Sequence, residues 1–271
     1  MPTPDAPVPA APVPAASDEK LVGSDRVLAV LTLLAGYASG ATLDELVRAS
    51  GHPKPTVHRA LAALQRAGLA RKEGRGRYIL GDEFLRLAFA HHDARPEHVR
   101  VRPVLQRLAE RFGETAHFAV LDGAEVVYRA KVDPPSGAAR LTSTVGGRNP
   151  AHCTAVGAVL LSARLRGADE VAAWIGDRSL EARTPRTLTT ASALAARLDE
   201  VRTLGYAVDD QENEPGVNCI AVPLYLGAPS EPSGAVSVSA LAYRTPLAEL
   251  VAAVDEIRAI VGDTGAAEAS A

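Results

Sequence analysis

The sequence has few cysteines and few aromatic residues, and it has no long uninterrupted hydrophobic run. Two cysteines, Cys153 and Cys219, are too few for the disulfide framework of a small secreted protein. No segment approaches the roughly 20 apolar residues that a membrane-spanning helix needs, and no stretch resembles a secretion signal. We therefore expect a cytoplasmic protein with reduced thiols and no membrane partner.

The length and composition are those of a soluble chain with two domains. The sequence has 271 residues, of which 47% are hydrophobic and 23% are charged, so each half can bury a core of its own. Residues 1–20 are rich in proline and alanine and have no apolar periodicity, which predicts a disordered tail.

Residues 42–77 have the pattern of a helix-turn-helix followed by a hairpin. Thr42 and Glu45 have capping-box spacing at the start of a first helix, and Gly51 can supply its left-handed stop. Pro55 suits the first turn of a second helix because it has no amide to leave unpaired there. An earlier helix over residues 24–34 completes a three-helix core.

The second helix of this motif has one apolar face and one basic face. Val57, Leu61 and Leu64 recur at i, i+4 and i+7 and are therefore predicted to face the core. Arg59 and Arg66 point the opposite way at about 100° per residue. The arrangement is typical of a DNA-binding helix-turn-helix.

The charge distribution supports this interpretation. Residues 52–77 contain seven Lys or Arg residues against one Glu, which gives 7 − 1 = +6, whereas the whole chain carries 29 − 32 = −3. The positive charge is therefore local, as in the electrostatic footprint of a nucleic-acid-binding surface. A solvated surface helix with ordinary arginines is the alternative that charge alone leaves open.

Residues 69–73 and 77–80 are predicted to form a two-stranded wing closed by the Gly74-Arg75-Gly76 turn. The predicted DNA contacts divide between base edges and phosphates. The candidates for base reading are Thr56, His58 and Arg59. The candidates for phosphate contacts are Lys54, Arg71, Arg75 and Arg77.

The second half alternates strands and helices, which indicates an α+β domain with a mainly antiparallel sheet. Strands are expected at residues 115–121, 125–132, 139–145, 206–210, 217–226 and 234–241. A first helix has one apolar face from Val101 to Phe112 and ends at Gly113. Further helices are expected at residues 154–163 and 169–175, between the Thr190 cap and Gly205, and after Thr245-Pro246.

Three stretches of this half can hold a small ligand. A Gly146-Gly147-Arg148 loop leads into a helix start, where free amides favour an anion. Residues 209–216 form an acidic loop, although such loops are most often solvated. Ser237 and Ser239 alternate with valines and share one sheet face. They can hydrogen-bond a ligand or, equally, allow a helix to approach closely.

Together these segments resemble the IclR family of bacterial transcription regulators. The matching stretches are PKPTVHRAL with its RYILG wing, HCTAVG after the GGR loop, and GYAVDDQENEPGVNCIAVPL followed by SVSALAYR. The resemblance implies an N-terminal winged helix-turn-helix that binds a pseudo-palindromic operator. It also implies a C-terminal GAF/PAS-like domain that binds a small effector, often an organic acid, in a homodimer or homotetramer.

The resemblance also implies domain limits and effector-site residues. We expect the winged helix-turn-helix at 21–81, a linker helix at 82–94, the effector domain at 95–262 and a disordered tail at 263–271. The implied effector contacts are Thr154, Ala155, Asp209, Cys219, Ser237 and Ser239. Ala158 stands where many relatives have lysine, so the helix start is less basic than theirs.

Three functions remain open at this point. A ligand-controlled regulator, more often a repressor than an activator, fits the resemblance best. A DNA-binding scaffold with a ligand-independent second domain is the alternative. An enzyme with Cys153 or a serine as nucleophile and His152 as base is disfavoured, because the adjacent His152 and Cys153 side chains diverge and no glycine-flanked serine elbow is present. We expect no catalytic residues, no metal site and no cofactor, since no ligand spacing or catalytic motif is present.

Overall fold

The computed structural model of the chain describes residues 23–74, 76–93, 96–134, 141–227 and 231–262. Both predicted tails, residues 1–20 and 263–271, lie outside these ranges. The chain forms two compact units that divide between residues 94 and 95.

The first unit combines helices with a small sheet. Its elements are α1 (Gly23–Ala35), β1 (Ala41–Thr42), α2 (Leu43–Ser50), α3 (Lys54–Arg66), β2 (Ala70–Glu73), β3 (Arg77–Leu80) and α4 (Asp82–Asp93). The strand order is β1-β3-β2, and both strand pairs are antiparallel. The two strands of the predicted wing are confirmed, whereas β1 was missed because two residues are too short to show a pattern.

The local signals at α2 are confirmed. The hydroxyl of Thr42 accepts a hydrogen bond from the Glu45 amide at 3.2 Å, and the Glu45 carboxylate accepts one from the Thr42 amide at 2.7 Å. Gly51 ends the helix at φ 66°, a conformation that residues with a side chain rarely adopt. The predicted core residues of α3 are buried, and they pack with Val30 and Leu34 of α1.

The second unit is a sheet between two helical layers. Its helices are α5 (Pro96–Phe112), α6 (Ala155–Arg164), α7 (Gly167–Ile175), α8 (Ala191–Leu204), α9 (Leu247–Ala252) and α10 (Val254–Gly262). Its strands are β4 (Thr115–Asp122), β5 (Glu125–Val132), β6 (Arg148–Pro150), β7 (Ala207–Asp210), β8 (Val217–Leu224) and β9 (Gly234–Leu241).

The six strands lie in the order β6-β5-β4-β9-β8-β7, and every neighbouring pair is antiparallel. The α+β class with an antiparallel sheet is therefore confirmed. One face packs against α5, α9 and α10 through Phe118, Ile220 and Val236. The other face, which we call the inner face, packs against α6 and α8 through small residues such as Ala221 and Ala235.

Two expectations for this unit were wrong. Residues 141–145 of the predicted strand 139–145 are not in a strand, and residues 139 and 140 lie outside the described ranges. The chain turns there instead, because the Gly147 amide bonds to the Thr144 carbonyl at 2.9 Å. The predicted last helix is divided at Ala253 into α9 and α10.

Candidate DNA-binding surface and effector site

Helix α3 presents the predicted reading residues on the side away from its core. Val57 is fully buried, whereas His58 and Arg59 are exposed and Thr56 is half-buried. No hydrogen-bond or ion-pair partner of the Arg59 guanidinium is present in the part of the chain that the structure describes. The side chain is therefore available to an external acceptor such as a base edge or a phosphate.

The predicted phosphate contacts occupy different environments. Lys54 Nζ lies 2.7 Å from Asp44 Oδ1, and Arg71 Nη1 lies 3.4 Å from Glu73 Oε1; all four side chains are exposed. Solvent screens exposed pairs of this kind, so either cation can exchange its partner for a phosphate. A third candidate, Arg75, lies outside the described residues.

Arg77 is held by the protein. Its guanidinium donates to the carbonyl oxygens of Ser39 and Gly40 and lies 3.8 Å from Glu45 Oε2. Gly40 has φ +75°, and a Cβ there would lie 2.7 Å from the Tyr78 carbonyl oxygen, so only glycine lets the turn approach the wing this closely. Arg77 therefore fastens β3 of the wing to the turn before α2.

In the second unit, polar side chains form two rows across the inner face of the sheet. The strand register aligns Thr115, Ser239, Cys219 and Asp209 in one row. It aligns Lys131, His117 and Ser237 in the other. Neighbouring strands lie about 4.8 Å apart, so the first row spans roughly 14 Å. An interior polar surface of this extent is unusual because each buried polar group needs a partner.

A β-bulge contributes to this face. The β4–β5 register shifts between Phe118 and Ala119, which leaves Arg129 as the extra residue on β5. Tyr128 and Lys131 would lie on opposite faces of a regular strand, because side chains alternate. The bulge brings both to the inner face, as bulges next to functional sites often do.

His117 lies at the centre of this surface and is 2% exposed. Its Nε2 is 2.7 Å from Ser143 Oγ, and its Nδ1 is 3.4 Å from Ser239 Oγ. The ring centroid is 5.0 Å from that of Tyr128. Burial, assisted by the Lys131 ammonium, lowers the pKa of His117 to about 3. The imidazole is therefore neutral at pH 7 and can donate through one nitrogen and accept through the other.

Two further hydroxyls on this surface have unused hydrogen-bonding capacity. The Ser237 side chain is 3% exposed, and its hydroxyl has no hydrogen-bond partner among the residues described. The Tyr128 oxygen accepts from Asn149 Nδ2 at 3.2 Å, which leaves the phenol proton free to donate. Burial raises the pKa of Tyr128 above its usual value, so the phenol keeps that proton.

Two carboxylates of the acidic loop are buried, although such loops are usually solvated. Asp209 and Glu212 are each 3% exposed. Asp209 Oδ1 accepts from the amides of Glu212 and Asn213 at 2.7 and 3.4 Å. Burial nevertheless raises the pKa of Asp209 to about 7, with the Glu212 charge as a further cause. Glu212 is paired with Arg197, yet burial raises its pKa as well.

The start of α6 is packed tightly beside this surface. The Thr154 hydroxyl caps the helix by accepting from the Gly157 amide at 3.1 Å, and the first-turn amides that begin at Ala155 need other acceptors. A Cβ at Gly157 would lie 2.0 Å from the Ala151 carbonyl oxygen, so only glycine fits. Ala158 is fully buried.

The pair considered as nucleophile and base does not interact. His152 Nε2 lies 3.0 Å from the Glu181 carbonyl oxygen. The Cys153 thiol faces the Pro150 carbonyl and Asn213, and burial raises its pKa to about 12, so the thiolate needed for attack does not form at pH 7. Burial likewise raises the pKa of Cys219 well above its usual value.

The structure thus brings four of the six implied effector contacts, Asp209, Cys219, Ser237 and Ser239, onto one face, with Thr154 and Ala155 at the adjoining helix start. It adds residues that sequence reasoning missed, namely His117, Tyr128, Lys131, Ser143 and Asn149. For His117 a signal existed: alternation with Phe118 places it on the face opposite a large core residue. No pattern in the neighbouring sequence predicted the contacts of Lys131 and Ser143.

Two general properties concern the described residues alone. Of the helices in these ranges, none combines the length and the apolar character needed to cross a membrane. In the same ranges, no group of three or more His, Cys, Asp and Glu side chains is arranged to hold a metal ion.

Comparison with known proteins covers both units. Residues 24–74 match the IclR helix-turn-helix domain, and residues 97–264 match the bacterial transcriptional regulator IclR C-terminal domain. The glycerol operon regulatory protein of Streptomyces coelicolor is 34% identical over 252 residues, which cover 89% of this chain and 96% of the relative.

Solved structures agree with this match. A transcriptional regulator of Rhodococcus sp. RHA1 superposes with a TM-score of 0.75 at 29% identity, covering 89% of this chain and 96% of that one. An IclR homolog of Microbacterium hydrocarbonoxydans, solved with 4-hydroxybenzoate, has a TM-score of 0.75 at 22% identity, with 90% and 100% coverage. At that identity it shows the fold alone.

The matched parts are a helix-turn-helix DNA-binding domain and a C-terminal ligand-binding domain, and the relatives are transcriptional regulators, not enzymes. The chain belongs to the IclR family of bacterial transcriptional regulators.

Proposed function

We propose that the protein is a cytoplasmic repressor that binds its operator as a dimer or tetramer and responds to a small organic acid. The observation that supports this most strongly is the polar face of the second unit, where His117, Asp209, Ser237 and Ser239 are all buried. A purely structural dimerisation domain has no need of such a face, since buried polar groups weaken a core unless they are satisfied.

On the DNA side, α3 enters the major groove with its N-terminal half. Thr56, His58 and Arg59 then reach base edges, as the start of a recognition helix does in helix-turn-helix proteins. Lys54, Arg71, Arg75 and the exposed part of Arg77 contact phosphates. A two-fold dimer reads a pseudo-palindromic operator, because the symmetry of the site follows that of the protein.

On the effector side, an acid binds between the inner face and the start of α6. The proposed contacts are Thr154, Ala155, Asp209, Cys219, Ser237 and Ser239. The effector prefers one arrangement of the C-terminal domains and thereby changes the geometry of the paired DNA-binding domains. The 4-hydroxybenzoate found in the Microbacterium homolog is one acid to test.

The experiment on the DNA side begins by footprinting the DNA upstream of the gene for this protein and of its neighbours, with and without candidate acids. Arg59→Ala is then expected to weaken binding to the protected sequence by about 1–3 kcal/mol and to relax base preference at one position. Arg66→Ala is the matched control, because it lies on the same face of α3, near its C-terminal end.

Arg66→Ala should weaken binding to all sequences alike. Unchanged operator specificity of Arg59→Ala at physiological salt would contradict the assignment of α3 as the reading helix. The same footprints separate the alternative functions. A protein that recruits polymerase when it protects its site is an activator. A protein whose protection no acid changes is a ligand-independent scaffold.

A further inference from the structure

Five of the six proposed effector contacts are buried, namely Thr154, Ala155, Asp209, Ser237 and Ser239. Their exposed fractions lie between 2% and 4%, so none of them is open to a molecule in solution. A small acid therefore reaches them only when part of the second unit moves away. A segment suited to such a movement borders the site, buries little apolar surface and is held by contacts that break and form again.

Residues 177–189, which we call the strap, have these properties. The strap lies between α7 and α8, is described in full and contains no helix or strand. Thr184 is its one buried residue, Leu180, Thr187 and Leu188 are half-buried, and its other residues are exposed. Release of the strap therefore breaks mainly hydrogen bonds and exposes little apolar surface.

The strap joins two walls of the site. At the wall that leads into α6, the Glu181 carbonyl oxygen accepts from His152 Nε2 at 3.0 Å. At the acidic loop, Arg183 Nε donates to the Asn213 carbonyl oxygen at 3.0 Å, and the Asn213 amide in turn donates to Asp209. Both walls carry proposed effector contacts, so the strap crosses the boundary of the site.

Thr184 fastens the middle of the strap to the acidic loop. Its carbonyl oxygen accepts from the Thr187 amide at 3.2 Å, which closes a turn. The turn presents two hydroxyls to the acidic loop. The Thr184 hydroxyl donates to the Gln211 carbonyl oxygen at 2.8 Å, and the Thr187 hydroxyl donates to the Glu212 carbonyl oxygen at 2.6 Å.

The backbone that Thr184 holds is strained. Gln211 has φ 60°, the only positive φ outside glycine among the residues described, and a residue with a long side chain rarely adopts it. Strain of this kind persists only where neighbouring contacts maintain it, and it is common in switch regions. Release of the strap removes such a contact, so the closed strap and the conformation of the acidic loop depend on each other.

We propose that the strap is the gate of the effector site, that it opens to admit and release the acid, and that Thr184 is its latch. This role rests on the proposed function, because it takes the inner face and the start of α6 to be the effector site. Thr184 acts through the strap and is not itself an effector contact. Opening of such a lid limits how fast a ligand enters and leaves.

The test measures how often the strap opens, with iodoacetamide as the probe and the full chain without any acid. Cys153 follows His152, is 1% exposed and has its thiol towards Asn213, so it lies between two contacts of the strap. Burial raises its pKa to about 12, so iodoacetamide alkylates it only in molecules whose site is open. If the strap recloses faster than alkylation proceeds, the labelling rate is proportional to the open population. Peptide mass spectrometry separates the labelling of Cys153 from that of Cys219.

Two threonine variants are compared with the wild type. Thr184→Val keeps the shape of the side chain and removes the hydrogen bond to the Gln211 carbonyl, which should raise the labelling rate of Cys153 about two- to tenfold. Thr245→Val is the matched control, because its hydroxyl donates to Glu114 Oε1 at 2.7 Å, outside the strap and the acidic loop. Its labelling rate should equal that of the wild type.

Amide hydrogen exchange of the same proteins distinguishes a local opening from a general loss of stability. In Thr184→Val the amides of the strap and the acidic loop should exchange faster. Those of α10, which packs on the other face of the sheet, should exchange as in the wild type. An acid that changes the footprint should also slow the labelling of Cys153 in the wild type, because the closed strap holds the acid in place.

The results separate two kinds of failure. If Thr184→Val is labelled no faster than the wild type, if α10 exchanges faster by the same factor, or if an acid that changes the footprint leaves the labelling of Cys153 unchanged, the strap is not the gate. The proposed function then stands, since it does not depend on the route of entry. If no acid changes the footprint, the effector part of the proposed function fails, and the role of the strap fails with it.

Discussion

The ion pair between Arg197 and Glu212 gives the sharpest stability prediction for the second domain. Glu212 is almost fully buried, with a side-chain exposure of 4%, and Arg197 is 17% exposed. Arg197 also donates to the Val208 carbonyl oxygen at 2.8 Å. The second carboxylate oxygen of Glu212 has no partner among the described residues. The carboxylate therefore depends on a single cation.

Arg197→Met should remove that cation and leave a buried charge. Breaking such a pair costs roughly 3–5 kcal/mol, and the lower end applies because Arg197 is partly exposed. For a domain of this size, 1 kcal/mol corresponds to about 2–4 °C, so we expect the melting temperature to fall by about 6–12 °C. Arg197→Met combined with Glu212→Leu should recover much of the loss, because it removes the unpaired charge as well.

The loss should also depend on pH. Burial raises the folded-state pKa of Glu212 above its usual value even with Arg197 present, and removal of Arg197 raises it further. The folded state of the variant then binds a proton that the unfolded state releases, so the deficit is largest at high pH and shrinks as the pH falls towards the unfolded-state value. Calorimetry of the ligand-free chain at pH 8 and pH 5.5 measures both effects. A loss below about 1 kcal/mol at pH 8, or a loss that grows in acid, would refute the reasoning.

Two other predictions concern single side chains. Thr42→Ala removes the capping box of α2 and should lower the free energy of unfolding of the first unit by about 1 kcal/mol. Urea unfolding, monitored through the amide signals of the first unit, measures this loss. A loss of stability confined to the second unit would contradict the prediction. Asp209 has a folded-state pKa of about 7 against an ordinary value of 3.8, so its contribution to stability is lost as the pH rises through this window, at up to about 1.4 kcal/mol per pH unit. Between pH 5.5 and pH 7.5 the melting temperature of the wild type should therefore fall more than that of Asp209→Asn. An equal fall in both proteins would show that burial does not perturb the pKa of Asp209.

The parts of the fold that the sequence predicted are those with local causes. The capping box at Thr42, the left-handed Gly51 and the apolar repeat from Val57 to Leu64 each depend on residues within two helical turns. β9 was predicted because its alternation is visible within eight residues, and β5 because the Asp122-Gly123 hairpin signal precedes it.

The composition of the site had no such local cause. His117 contacts Ser239 because β4 pairs with β9, a strand far along the chain. Neither segment has a sequence pattern that predicts this pairing. Lys131 shares a face with Tyr128 only because of a bulge at Arg129. Asp209 and Glu212 seemed typical of a solvated loop, but both are buried, and α8 supplies Arg197 to Glu212. Residues 141–145 of the expected strand are not in a strand, because the glycines at 146 and 147 turn the chain beside Tyr128.

The most direct test of the central claim is the operator affinity of the full chain with and without a bound acid. With a candidate acid that binds the chain, present at saturation, we expect the operator dissociation constant to change by about fivefold or more, since coupling energies between sites are typically 1–3 kcal/mol. Ser237→Ala should need a higher acid concentration for the same change. Ser162→Ala should behave as the wild type, because the Ser162 hydroxyl donates to the Val159 carbonyl within α6. An acid that binds the inner face but leaves operator affinity unchanged would contradict the account.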